Sequence, residues 1–261
     1  MATTATSADQ SQPTASPSPT AAQTPDPDTK VEWRHGEDPP GGDIGIPRYA
    51  GWYEHAVGQP TKEKVIYLTV DDGPSPYTEE LLKIFTKNDA VGTWFLIGNQ
   101  AQGQPELVKR IHQAGMPIGN HSWNHPNLNT LDAEQVRAQL EATNKAVGPV
   151  MGSCMRPPYG LINSEAAHIA ESLGQTPVIW TGHATDWSSP PVDQMVATFK
   201  SFTRPGAVIL MHDGGGDRAN TVEAMRTYIP WLRKQGYRME PIPSCLGSIP
   251  AKETHGAVVA P

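Results

Sequence analysis

Two short stretches of the sequence carry residue types and spacings that suit a metal site. The stretch TVDDGP ends an apolar segment with two adjacent acids, Asp71 and Asp72. The stretch HSWNHP places His121 and His125 four positions apart, in a chain with only 9 histidines. Two imidazoles and one carboxylate would leave coordination positions open for water and substrate, and they suit zinc or another transition divalent ion. The second carboxylate could then accept a proton from a water molecule.

Three further stretches contain groups that could take part in the same chemistry. MRPPYG holds Arg156 in a proline-stiffened loop, and an arginine there could orient a carboxylate. HATDWSS supplies Asp186 and Trp187, and VILMHDGGG supplies His212 after an apolar segment. Each stretch also has a simpler explanation, because Asp-Asp-Gly-Pro is a turn sequence and a His pair at this spacing arises by chance.

The elements that must position these residues alternate along the chain from residue 62 onward. We predict strands at residues 65–70, 92–97, 116–120, 154–156, 178–180, 207–211 and 237–242, and helices at 78–87, 105–115, 132–147, 164–173, 192–202 and 220–234. About seven strand–helix units predict an α/β fold, a small and incomplete (β/α) barrel of parallel strands. The candidate residues all follow predicted strands, where such barrels carry their reactive groups.

The chain of 261 residues divides by composition. Residues 1–44 contain 7 acids and 2 bases and no Leu, Ile, Val or aromatic residue before Val31, so we predict a disordered Ser/Thr/Pro-rich tail or linker. We also predict a lead-in segment at residues 45–61, a folded domain with the candidate residues at 62–246 and a C-terminal extension at 247–261. The tail resembles stalks that tether extracellular domains, and an arbitrary low-complexity leader would have the same composition.

The charge and hydropathy patterns exclude several classes of partner. The formal net charge is -7, with no cluster of Lys and Arg, so neither nucleic acid nor an anionic membrane is an expected partner. No apolar run reaches the ~20 residues that span a bilayer, and no signal-peptide core is visible. The two cysteines, Cys154 and Cys245, are unrelated thiols in a cytosolic protein or a disulfide in an exported one, and we expect the disulfide.

The order of the five stretches, TVDDGP, HSWNHP, RPPYG, DW and LMHD, resembles the motif pattern of the polysaccharide deacetylases, the NodB homology domain of carbohydrate esterase family four. The resemblance covers residues 62–242. It implies a distorted (β/α) barrel of about seven parallel strands and one divalent metal ion, with zinc expected and cobalt, nickel or manganese as alternatives.

The resemblance also assigns roles to individual residues. It makes Asp72, His121 and His125 the metal ligands, Asp71 the general base and His212 the general acid. It implies that Arg156 holds Asp71 and that Asp186 steadies Arg156. The residues expected at the reacting acetyl group are the oxyanion donor Tyr159, through its backbone N–H, and the substrate contacts Trp187, Leu210 and Pro157.

One position departs from the family pattern. Its fourth motif usually reads Asp-x-x-Asp-Trp, and here His183 stands at the first acid. Relatives are expected to pair that acid with the histidine of the fifth motif. We therefore expect His212 to be a stronger acid here than in its relatives, unless another carboxylate such as Asp213 or Asp193 supports it.

These observations predict a secreted or surface-tethered, monomeric deacetylase that acts on N-acetylglucosamine units of peptidoglycan or chitin-like glycans. The alternatives are O-deacetylation of acetylated xylan by the same residues and a glycan-binding relative without turnover. A phosphohydrolase built on His212 and Asp213 is a weaker alternative, because such sites generally carry their His-Asp pair on helices.

Overall fold

The computed structural model describes residues 62–246 together with Met1, and residues 62–246 form a parallel sheet connected by helices. Apart from Met1, the predicted tail 1–44, the lead-in segment 45–61 and the C-terminal extension 247–261 lie outside the described residues. Within the described part of the chain, no helix combines the length and apolar character needed to cross a bilayer.

Every strand pairing in the sheet is parallel. The strands are β1 (Val65–Asp71), β2 (Gly92–Leu96), β3 (Ile118–Asn120), β4 (Met151–Met155), β5 (Thr176–Pro177), β6 (Gly182–His183), β7 (Val208–His212) and β8 (Arg238–Met239). Seven of them follow the order β5-β4-β3-β2-β1-β7-β6, and β8 pairs with the start of β1. The predicted distorted (β/α) barrel of about seven parallel strands is confirmed. Because helices cover parallel sheets on their faces, all seven residues of β1 are buried.

Within residues 62–246, seven α-helices connect the strands. They are α1 (Thr78–Lys87), α2 (Gly98–Gly103), α3 (Pro105–Gln113), α4 (Ala133–Val147), α5 (Ser164–Ser172), α6 (Val192–Ser201) and α7 (Ala219–Lys234). Helix α4 shows how the sequence sets their limits. It begins at a capping box between Asp132 and Gln135 and ends at Gly148, whose φ of 72° favours glycine. Both ends of α4 are therefore fixed, and the side chains it presents are held on a well-defined element.

The largest difference from the predicted elements lies between β4 and β6. The predicted strand at residues 178–180 is wrong, because the strand there is β5, which ends at Pro177. The N–H of Val178 still bonds to the carbonyl of Met155, but the Val178 carbonyl accepts a hydrogen bond from Arg156 Nε at 3.1 Å. The Arg156 side chain thus takes the hydrogen-bond position that a strand backbone would occupy, and the pairing of β5 ends at Pro177.

Cys154 of β4 and Cys245 form a disulfide, as expected, across 91 positions of sequence. Both sulfur-bearing residues are fully buried. The bond attaches the end of the described chain to β4, the second strand from one edge of the sheet. The enclosed segment includes Arg156, Asp186 and His212.

Candidate active site

The candidate residues meet at the carboxyl edge of the sheet, as predicted. Asp71 is the last residue of β1 and lies directly beside His212, the last residue of β7. His121 follows β3 and Arg156 follows β4. Asp186 begins a short 3-10 helix, Asp186–Ser188, three residues after β6.

Asp72, His121 and His125 form a compact set of potential ligands. Asp72 Oδ1 lies 3.4 Å from His121 Nε2 and 3.6 Å from His125 Nε2, and one ligand atom from each residue falls within 4.8 Å of the others. Asp72 Oδ1 is buried, and no group in the described residues donates a hydrogen bond to it. A buried carboxylate oxygen without a donor, facing two imidazole nitrogens, fits a divalent cation.

The tautomer of His121 is set by its second ring nitrogen. Nδ1 lies 2.7 Å from the carbonyl oxygen of Arg156, an acceptor, so Nδ1 carries the hydrogen. When the ring is neutral, Nε2 therefore has a free lone pair that points toward the carboxylates, which is how metal-binding histidines are usually oriented. Both histidines lie outside any helix or strand, and His125 has a φ of 62°.

The charges in this set are strongly coupled. Burial alone would raise the pKa of Asp72, but the nearby imidazoles of His121, His212 and His125 lower it overall. Burial would likewise lower the pKa of His121, yet Asp71 and Asp72 together raise it. Burial and the charge of His121 lower the pKa of His125. The site thus concentrates negative charge at a point where two imidazoles converge.

Asp71 is held by Arg156 in the interior. Arg156 Nη1 donates to Asp71 Oδ1 at 2.8 Å and lies 2.7 Å from Thr69 Oγ1. The guanidinium also lies over the Phe95 ring, 4.3 Å from its centroid. Both members of the pair are buried. Asp71 Oδ2 faces the other way and lies 3.7 Å from His121 Nε2.

Asp186 does not steady Arg156, and this expectation is wrong. Its carboxylate faces His212 instead, with Oδ1 2.8 Å from His212 Nδ1 and Oδ2 accepting the backbone N–H of His212 at 2.7 Å. Thr221 also donates to Oδ2 at 3.1 Å. Burial alone would lower the pKa of His212, but Asp186, with Asp71 and Asp72, raises it to about 9.

The structure shows the alternative to the His183 expectation, since a carboxylate supports His212 and that carboxylate is Asp186. Neither Asp213 nor Asp193 does so. The Asp213 carboxylate accepts from Thr78 Oγ1 on helix α1, and Asp193 is exposed on α6. The His183 ring lies between Trp187 and Phe202, with ring centroids 4.9 and 6.2 Å away. Burial lowers the pKa of His183, which favours its neutral form.

The residues expected at the substrate surround this core to different degrees. Tyr159 is 62% exposed, packs its ring 4.6 Å from that of His125, and has a left-handed φ of 59°. Trp187 is 48% exposed and lies edge-on to His212, with ring centroids 5.6 Å apart. Pro157 precedes the Tyr159 turn and is buried. Leu210 is buried in β7, two residues before His212.

Several contributing residues were not foreseen from the sequence. Thr69 supports Arg156, Thr221 supports Asp186, and Gln139 contacts the loop between the two histidines. Thr69 carries a weak signal, because it is the one polar residue inside the apolar segment of β1. Nothing in the periodicity of the helices distinguishes Gln139 or Thr221 from ordinary surface residues.

Comparison with known proteins places these features in context. A family model described as polysaccharide deacetylase matches residues 58–178. A peptidoglycan-N-acetylglucosamine deacetylase of Bacillus cereus is 36% identical over 184 residues, covering 69% of this chain and 86% of that protein. A chitooligosaccharide deacetylase of Azorhizobium caulinodans is 31% identical over 194 residues, covering 68% and 92%. The crystal structure of a peptidoglycan N-acetylglucosamine deacetylase superposes with a TM-score of 0.68 at 31% identity, covering 71% of this chain and 89% of that one.

Proposed function

The chain belongs to the polysaccharide deacetylase family, and from this premise we propose that it uses a divalent metal ion to remove acetyl groups from N-acetylglucosamine units of peptidoglycan or chitin-like glycans. The observation that carries the proposal is the arrangement around Asp72. Its unpaired, buried Oδ1 faces two imidazoles, with a buried carboxylate, Asp71, on one side and an imidazole–carboxylate pair on the other.

Asp72, His121 and His125 would hold the ion. Mixed imidazole and carboxylate ligands suit zinc, with cobalt, nickel and manganese as alternatives. When bound, such an ion supplies Lewis acidity, which makes water a nucleophile near neutral pH and stabilises negative charge on a carbonyl oxygen.

Asp71 is placed to act as the general base. Arg156 holds Oδ1, which leaves Oδ2 free at the border of the ligand set to accept a proton from the attacking water. The buried guanidinium of Arg156 fixes the orientation of the Asp71 carboxylate through this hydrogen bond.

His212 is placed to act as the general acid. Amide hydrolysis expels a poor amine leaving group, which must receive a proton as the C–N bond breaks. With a pKa of about 9, the imidazole is protonated at neutral pH, and its Nδ1 is bound to Asp186. Nε2 is thus the nitrogen that donates. The backbone N–H of Tyr159, in its left-handed turn, would donate to the oxyanion.

Substrate class and location follow from the surroundings of the site. Two large aromatic side chains, Tyr159 and Trp187, are exposed beside the reacting groups and offer flat apolar surfaces to sugar rings. The named relatives act on peptidoglycan and on chitooligosaccharides. A disulfide persists in oxidising compartments, which supports a secreted or surface-tethered location for the protein.

The test is a measurement of acetate release from chito-oligosaccharides, peptidoglycan and acetylated xylan. Release from the first two substrates should stop after dialysis against a strong chelator and return with zinc or cobalt. Full activity in metal-free protein would overturn the metal dependence. Release from acetylated xylan alone would replace N-deacetylation with O-deacetylation.

A further inference from the structure

The two histidine ligands lie at the ends of a loop that has no regular secondary structure. Between them, Ser122 has a φ of 64°, and His125 itself has a φ of 62°. Residues other than glycine occupy this left-handed region only where their surroundings hold them there. The distance between the two imidazoles therefore depends on what fixes the loop backbone.

The carbonyl groups of the loop are fixed by helix α2. The N–H of Gly98 bonds to the carbonyl of Ser122 at 2.9 Å, and the N–H of Asn99 bonds to that of Trp123 at 3.0 Å. The first N–H groups of a helix have no partner within it, so they are available to a neighbouring loop. This side of the loop is held by backbone alone.

Two N–H groups in the middle of the loop are fixed by one side chain, Gln139 of helix α4, whereas the N–H groups of Ser122 and His125 bond to side chains within the segment, Asn120 Oδ1 and Ser122 Oγ. Gln139 Oε1 accepts the N–H of Trp123 at 2.8 Å and that of Asn124 at 3.3 Å. Gln139 Nε2 donates to Asn124 Oδ1 at 2.8 Å. A single amide thus makes three hydrogen bonds to the middle of the loop, from a helix whose two ends are both capped.

We propose that Gln139 is a positioning residue for the metal site, which sets the separation of His121 and His125 through the loop backbone without touching the ion. The inference rests on the proposed function, since it assumes that these histidines bind a metal. Groups outside the ligand shell that orient ligands typically change metal affinity by about 10- to 100-fold when they are removed.

The experiment measures zinc affinity of the full chain after the metal has been stripped, by competition with a chromophoric chelator. Gln139→Met keeps the length of the side chain and removes all three hydrogen bonds. Asn124→Ala removes only the third, at an exposed position. Glu141→Met is the matched control, an exposed residue on the same helix. Circular dichroism and the melting temperature of the stripped proteins establish that each variant is folded.

Gln139→Met should raise the zinc Kd by about 10- to 100-fold, Asn124→Ala by less, and Glu141→Met not at all. Activity of Gln139→Met should recover at saturating zinc, as expected if the ligands are displaced and not removed. If Gln139→Met does not fold, the test is the zinc Kd of Asn124→Ala compared with that of the control, Glu141→Met. Zinc affinity within twofold of wild type in folded Gln139→Met, or in Asn124→Ala where Gln139→Met does not fold, would overturn this inference and leave the proposed function standing. A wild-type protein that binds no zinc would overturn both this inference and the proposed metal dependence.

Discussion

Asp186 binds His212 twice, once at the ring and once at the backbone. One carboxylate oxygen lies 2.8 Å from Nδ1, and the other accepts the His212 N–H at 2.7 Å. The carboxylate therefore fixes both the position of the residue and the state of its ring. Because Asp186 is 1% exposed, solvent screens this interaction little.

The first prediction concerns the pH dependence of activity, because the negative charge of Asp186 raises the pKa of His212. Wild-type activity should persist toward pH 9 and then fall, since the pKa of His212 is about 9. Asp186→Asn removes the negative charge that favours imidazolium, so the alkaline limb of the pH–rate profile should move down by about one to two pH units. A limb that stays in place would show that another group sets the upper limit.

The same pair predicts a change of stability with pH. The pKa of His212 in the folded state lies above the unfolded-state value of about 6.5. The stability that the pair contributes is therefore complete below pH 6.5 and is lost as the pH rises through about 9. The free energy of unfolding of wild type relative to Asp186→Asn should therefore shrink across this range. Denaturant titrations at pH 6 and pH 9.5 provide the check, and an equal difference at both values would contradict it.

A further prediction concerns His183, the departure from the family pattern. His183→Phe exchanges one neutral ring for another between Trp187 and Phe202, and the carboxylate that supports His212 remains. The alkaline limb should therefore stay within about 0.3 of a pH unit of wild type, because the charge near His212 is unchanged. A large downward movement in this variant would mean that His183 supports the acid directly.

The paired acids should separate binding from turnover. Asp72→Asn should weaken zinc binding, because it removes the anionic ligand. Asp71→Asn should leave zinc bound and lower kcat by a factor of about 100 to 10,000, because it removes the base. Measuring metal content and kcat on both variants checks the assignment, and the opposite pattern would exchange the two roles.

Arg156 should be far more important for stability than arginines on the surface. Arg156→Met leaves Asp71 buried without its partner, which costs about 3–5 kcal/mol. Arg226→Met is a suitable control, because its ion pair with Glu80 is exposed and should contribute less than about 1 kcal/mol. Unfolding free energies that drop equally in the two variants would show that the Arg156–Asp71 pair is not stabilising.

Reduction of the disulfide should destabilise the fold and spare the chemistry. A crosslink across 91 positions is worth about 4–5 kcal/mol on the chain-entropy estimate. Replacing Cys154 and Cys245 by Ala should lower the melting temperature, while kcat at 25 °C remains near wild type. Reductant should lower the melting temperature of wild type and leave that of the variant unchanged.

The sequence predicted the strand-end placement of Asp71, His121 and His212 because that placement depends on local pattern. An apolar segment ends at a polar residue, and parallel strands bring their ends to one edge. The spacing of apolar residues, which is also a local pattern, predicted helix α1 at its observed limits, residues 78–87.

The partner of Asp186 could not be predicted in the same way. Arg156 and His212 both lie at strand ends on the carboxyl edge of the sheet, and only the paths of the loops decide which of them Asp186 meets. The contact of Gln139 with the histidine loop depends on how helix α4 is rotated about its own axis. The spacing of the apolar residues shows which face of the helix is buried, but it does not show which polar residue at the edge of that face meets the loop. Such contacts join segments that are distant in the chain, and local propensity carries no information about them.

The left-handed residues at the site impose a trade-off on the evolution of the enzyme. His125 and Tyr159 each sit in a backbone region that costs about 1–3 kcal/mol for a side chain with a Cβ atom. Glycine would relieve that cost, against an entropic loss of up to about 1 kcal/mol. His125→Gly would thus relieve the backbone strain but remove the imidazole and its ring contacts with His121 and Tyr159. Backbone strain thus favours glycine at this position, whereas the proposed metal binding requires the imidazole.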